Sequence, residues 1–145
     1  MVTVSESYER DYYAWAMKNA QLIRQGKLSE IDLNNIAEEL EDVGKSERRA
    51  LRNHIKNVIL HLLKWRYQPN FREASWRQSV RNGRIAIHEI VTESPSLNRD
   101  IAQLIESEYS SAQADAVDET GLSASTFPPT CPFSESQVSD DYWPD

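Results

Sequence analysis

Between Ser46 and Pro69 the chain reads SERRALRNHIKNVILHLLKWRYQP, apolar on almost every side of a helical wheel. Leu51, Ile55, Val58, Leu62 and Trp65 recur at spacings of 4, 3, 4 and 3, and Ile59 and Leu63 widen the stripe. That period is the signature of an α-helix with a broad buried face. Leu60 falls on the far side of the wheel, so the opposite face carries bulk as well, as the central member of a bundle requires. Such a helix has to be surrounded, and the rest of the chain must supply the partners.

The periodicity predicts four more helices. The first, residues 5–25, aligns Tyr8, Tyr12, Trp15, Leu22 and Ile23, with Asp11 and Asn19 inside or at the edge of that arc. The second, 32–43, starts where Asp32 can cap the free amides of its first turn, and carries Leu33, Ile36, Leu40 and Val43 as its inward stripe. Gly44 is read as a tight turn into the central helix, 46–67, making an antiparallel hairpin. A fourth helix, 75–92, is capped by Ser75 and packs Trp76, Val80, Ile87, Ile90 and Val91. Gly83 on that face costs about 1 kcal/mol relative to Ala and marks a close helix crossing. The fifth, 96–120, aligns Leu97, Ile101, Leu104, Ile105, Ala112 and Ala116. All six prolines follow the central helix and none interrupts a helical pattern, while Gly26, Gly44 and Gly121 sit just past periodic runs.

The fold class expected is therefore all-α: one domain, an antiparallel helical bundle of four to five long helices. At 145 residues such a domain buries roughly 70% of the surface its unfolded chain exposes. Residues 121–145 are rich in Pro and Ser but hold Phe127, Phe133, Tyr142 and Trp143, too many rings for a disordered tail. They are expected to wrap over the bundle, with one short helical turn at Ser134 where Ser134 and Gln137 fit a capping box. No apolar run reaches the length of a membrane span and no basic-then-apolar leader is present, so the reading is cytoplasmic, with no membrane contact. The single cysteine, Cys131, leaves no internal disulfide and no cysteine-based zinc cluster.

Charge is unevenly spread. Residues 1–44 hold 4 Lys or Arg against 9 Asp or Glu, residues 45–84 hold 11 against 2, and residues 85–145 hold 1 against 12. A basic middle between acidic flanks is explained most simply by basic helices packing beside acidic ones, with Glu38, Glu41, Asp42, Glu106, Glu108 and Asp115 as partners. The sharper alternative is a basic face for nucleic acid. The row Arg77, Arg81, Arg84 and His88, beside Trp76, is the candidate binding surface, although the net charge of −7 is the opposite of what a nucleic-acid module usually carries.

Catalytic signatures are lacking: there is no Gly-rich phosphate loop, nucleophile elbow or paired-histidine metalloprotease motif. The candidate metal ligands are Glu39, His54 and His61, for a divalent ion held in a helical bundle. Their spacing weighs against it, because His54 and His61 are seven residues apart, about 10 Å along a helix, and cannot share one ion without distortion. The simpler reading is that both histidines edge the core and satisfy their ring nitrogens there. No cofactor is expected otherwise.

Several ordered segments carry a resemblance. YERDYYAWAMKNAQLIRQGK, DLNNIAEELEDVGKSERRAL, HLLKWRYQP, SWR, ESPSL, ETGL, TFPPTCPF and the closing YWP together resemble the bacterial, largely cyanobacterial family known as domain of unknown function 29. The resemblance covers about Tyr8 to Pro144 and implies a small all-helical protein. It implies no activity, substrate or cofactor; it directs attention to Glu38 and Glu39, His61, Trp76 and Arg77, and Cys131. The reading that follows is a non-catalytic protein-interaction or regulatory module with a protein partner or a second copy of itself. Metal binding through Glu39, His54 and His61 is the first alternative and nucleic-acid binding the second.

Overall fold

The structure is a computed structural model that describes residues 3–145. Among these residues every regular element is helical: α1 (Val4–Arg10), α2 (Tyr12–Arg24), α3 (Leu33–Tyr67), α4 (Ala74–Glu93), α5 (Ile101–Thr120) and α6 (Glu135–Ser139), with short 3-10 turns between them. The all-α helical architecture read from the sequence is the one observed. The described residues divide into two compact units, 3–46 and 47–145, with α3 contributing to each.

The first departures from expectation are at Asp11 and Gly44. The predicted helix 5–25 is broken at Asp11, whose backbone (φ −150°, ψ 85°) leaves the helical region and whose carboxylate accepts from the Ala14 amide at 3.0 Å, capping α2. The predicted hairpin at Gly44 is absent, since α3 runs without interruption from Leu33 to Tyr67. Among the described residues only Gly26 and Gly121 take the left-handed conformation, at φ 74° and 75°, and each ends a helix. Gly44 stays helical because its cost of about 1 kcal/mol is small against a long run of good helix formers on both sides, with no proline to enforce a stop.

In the N-terminal unit, α1 and α2 stand beside the first turns of α3. The interior is small, and its buried residues are Trp15, Asn19, Leu22 and Asp32.

In the C-terminal unit, the stretch of α3 from Glu47 to Tyr67 is the centre, as its sequence requires. Leu51, Ile55, Val58, Ile59, Leu62 and Leu63 are fully buried, and Leu60 is buried as well. Each such side chain contributes about 1.5–3 kcal/mol on leaving water. The ion pairs Arg48–Asp100, Arg52–Glu108, Lys56–Asp115 and Lys64–Glu119, at 3.0–3.5 Å, advance along both segments together, so α3 and α5 run parallel. The basic middle of the chain is thus paired with carboxylates between residues 100 and 119, Glu108 and Asp115 among the expected ones, whereas of the second-helix carboxylates expected as partners only Glu41 approaches a cation among the described residues, Lys45 at 4.0 Å.

α4 begins at Ala74, one residue before the expected start, and Ser75 donates to the Glu73 carboxylate instead of capping. Residues Pro95–Asp100 form a 3-10 turn, so α5 starts at Ile101, later than expected. α4 crosses α3 at Gly83, where an added Cβ would lie 2.5 Å from Val58 Cγ2; the glycine is there because no side chain fits.

Residues 121–145 pack across this unit as the aromatic content indicates. Phe127 and Phe133 are buried, and the Trp143 ring packs tilted at 51° against Trp65, centroids 4.7 Å apart. The capping box of Ser134 and Gln137 opens α6.

Candidate functional site

The candidate metal ligands are placed in separate surroundings. Glu39 belongs to the N-terminal unit and accepts hydrogen bonds from two phenols, Tyr8 at Oε1 and Tyr12 at Oε2, each at 2.5 Å. These bonds, Tyr12's first, hold its carboxyl below the usual carboxylate range, and the carboxylate in turn raises both phenols. His54 and His61 belong to the C-terminal unit and are half-buried on α3. The His61 Nδ1–H donates to the Asn57 carbonyl at 2.8 Å. Burial pushes His61 below the ordinary imidazole value, against the hydrogen bond to Asn57, and the Lys64 ammonium adds to the lowering. Among the described residues no group of three or more His, Cys, Asp or Glu is placed to hold a metal ion.

The basic row of α4, the candidate binding surface, makes most of its contacts within the chain. Arg84 is buried, and its guanidinium donates to the carbonyls of Val138 (Nε, 3.1 Å), Gln137 and Tyr142 (Nη2, 2.7 Å each). One side chain thereby takes up three backbone acceptors of the C-terminal segment. Burial lowers its pKa somewhat, and Asp141 and Asp140 oppose that. His88 Nε2 donates to the Ser139 carbonyl at 2.9 Å. Arg77 lies over Trp65 and Trp143 at 5.2 and 5.9 Å, and Arg72 covers Trp65 at 4.8 Å. Trp76 is buried with the Lys64 ammonium 4.8 Å from its ring, so its face is already covered. Arg81 remains exposed in an open cleft of about 600 Å³, lined also by Asp140, Asp141 and Trp143. The row chiefly fastens the chain's own C-terminal segment.

The feature that sequence reasoning assigned to the interior lies instead on the surface of the N-terminal unit. Of the ten large hydrophobic residues exposed among those described, eight fall before residue 47. Leu33, Leu40 and Val43 are 68%, 68% and 67% exposed.

The cause is the polar network that fixes the start of α3. Trp15 Nε1 donates to Asp32 Oδ2 at 2.9 Å, Asn35 Nδ2 to the same oxygen at 2.7 Å, and the Asp32 amide to Asn19 Oδ1 at 2.8 Å. With Glu39 held by Tyr8 and Tyr12, the face of α3 that meets α1 and α2 is the one bearing Asp32, Asn35 and Glu39. The apolar stripe is rotated from it by roughly a quarter turn, at 3.6 residues per turn. Only Ile36, on the near edge, is half-buried.

The stripe repeats at 33, 36, 40 and 43, the a and d spacing of two heptads, and Ala37 and Gly44 leave gaps beside the leucines. Among the described residues, beyond its own helix, nothing lies within 4 Å of where a Gly44 Cβ would stand. The heptad spacing is visible in the sequence, but it is the same whether the covering helix comes from this chain or another.

No helix among the described residues is long and apolar enough to cross a membrane. No curated protein and no solved structure matches the chain. A family model described as "Domain of unknown function DUF29" matches residues 7–144, nearly the whole length, and the chain belongs to that family.

Proposed function

We propose that this chain is a non-catalytic protein-interaction module that docks its partner on the apolar stripe of the N-terminal unit. The observation that carries this reading is the exposure of Leu33, Leu40 and Val43 on a helix whose polar face is the one turned inward. A protein surface seldom leaves so ordered a row of large aliphatic side chains in water unless something else covers it. A helix seam in a groove or against a second helix is the recognition mode it fits. The lack of any catalytic motif in the sequence supports the same reading, and the C-terminal unit, with its satisfied ion pairs and fastened C-terminal segment, supplies a folded body for the module.

The test is site-specific photo-crosslinking in cells. A photoreactive residue placed at Leu40 is expected to trap a discrete protein adduct. The same residue at Ile85, an exposed position of the C-terminal unit, should not. Leu33→Asn should suppress the Leu40 adduct. Equal or absent trapping at the two positions would overturn the reading.

A further inference from the structure

We infer that residues 40–46 of α3 are a joint, a stretch of helix that opens reversibly while the units on either side of it stay folded. The boundary between the two units falls between Ser46 and Glu47, yet α3 continues across it. On the N-terminal side the last side chain of α3 bonded to a neighbouring helix is Glu39, held by Tyr8 and Tyr12. On the C-terminal side the first to be bonded is Arg48, paired with Asp100, and the first fully buried one is Leu51. Residues 40–46, seven in a row, are all exposed. Among the described residues none of their side chains makes a hydrogen bond or ion pair outside the segment.

A helical stretch without tertiary contacts depends on its own propensity and its own side-chain pairs, and here both are weak. Gly44 shifts the balance toward the open form by about fivefold relative to Ala. Glu38 lies three residues from Glu41 and four from Asp42, spacings at which like charges destabilise a helix. The one favourable pair, Glu41 with Lys45, meets only at 4.0 Å with both side chains largely in solvent, and such pairs add little.

Opening a helix from within creates two new ends. A nucleation constant of about 10⁻³ sets the open fraction of an ordinary stretch near one in a thousand. The glycine and the like charges raise it here to about one in a hundred. The stretch 51–63 is packed in the core and opens only when the C-terminal unit unfolds, an event rarer by at least about tenfold.

The test is amide hydrogen exchange of the full chain at neutral pH, resolved by residue with NMR. The amides of residues 43–47 are expected to exchange at least about tenfold faster than those of 51–63. They should also exchange faster than those of Ile36 and Ala37, which precede the Glu39 anchor. Gly44→Ala adds a methyl that meets nothing beyond its own helix, and should slow exchange at 43–47 about fivefold while leaving 51–63 unchanged. Asp42→Ala removes a like charge from Glu38 and should slow it by at least about twofold. Both positions are exposed, so both variants keep the fold.

Three results overturn the inference. Protection at 43–47 equal to that at 51–63 means that this part of α3 opens only with the C-terminal unit. Exchange no faster than at Ile36 and Ala37 means that it opens only with the N-terminal unit. Fast exchange that neither substitution slows means that the opening is not set by the segment's own residues.

Discussion

The indole N–H of Trp15 donates to Asp32 at 2.9 Å, and both groups are buried. The same carboxylate accepts from Asn35 and from the Ser5 hydroxyl, so one acidic side chain sets where α3 begins and how it is rotated. Asp32→Ala leaves the indole N–H and the Asn35 amide without partners. The expected cost is about 1–3 kcal/mol, the range for orphaning a buried donor. Hydrogen exchange should show the loss in α2 and the first turns of α3, with Leu51–Leu63 unchanged.

Acid should weaken the N-terminal unit first. Burial pushes Asp32 up, but bonds from Asn35, Trp15 and Ser5 outweigh it and leave the carboxyl below its ordinary value. Glu39 is lowered by Tyr12 and Tyr8. A carboxyl lowered on folding contributes stability that is complete above its unfolded value, about pH 4, and is lost as pH falls through the lower folded value. Exchange measured along a pH series should show residues 3–46 loosening below about pH 4. Tyr8→Phe with Tyr12→Phe should flatten the part of that slope owed to Glu39.

Arg84 fastens residues 137–142 by three carbonyls. Arg84→Met keeps the packing of the stem but loses all three bonds, at an expected cost of about 2–4 kcal/mol. Arg84→Lys should recover only part of it, because an ammonium cannot reproduce the planar fork. Limited proteolysis near Tyr142 and the emission of Trp143 report release of the segment.

At the α3–α4 crossing, Gly83→Ala sets a methyl against Val58, which is itself fully buried. Overpacking of this kind costs about 1–3 kcal/mol, partly offset by the better helix propensity of Ala. Val58→Ala alone also destabilises, by cavity formation. Together the two changes should cost less than their sum, a coupling measurable in a double-mutant cycle of urea unfolding.

How far the sequence can be read follows from the range of each interaction. The central helix is legible because its stripe is apolar on both sides. Gly83 is legible because a glycine in the inward face of a helix weakens that helix unless a neighbouring backbone needs the space. The aromatic-pinned C-terminal segment and the Ser134–Gln137 capping box are legible for local reasons too. Gly44 misleads because glycine marks a helix end only when the backbone turns left-handed, and nothing local forces that turn.

By sequence Arg84 looks like part of a binding row because its acceptors are 53 to 58 residues away and are backbone carbonyls, which carry no side-chain signature. The stripe at Leu33, Leu40 and Val43 looks interior because periodicity reports that a face is apolar, not which chain covers it. Its rotation depends on Trp15, Asn19 and two tyrosines, contacts made across the unit.

The central claim is that this polar network leaves the stripe in solvent. It is tested most directly by methyl NMR of the full chain with a soluble, uncharged paramagnetic probe. The account predicts strong attenuation of the Leu33, Leu40 and Val43 methyls and none for Leu51, Ile55 and Val58. Methyls of Leu33 and Leu40 shielded as well as those of Leu51 in the chain alone would contradict it.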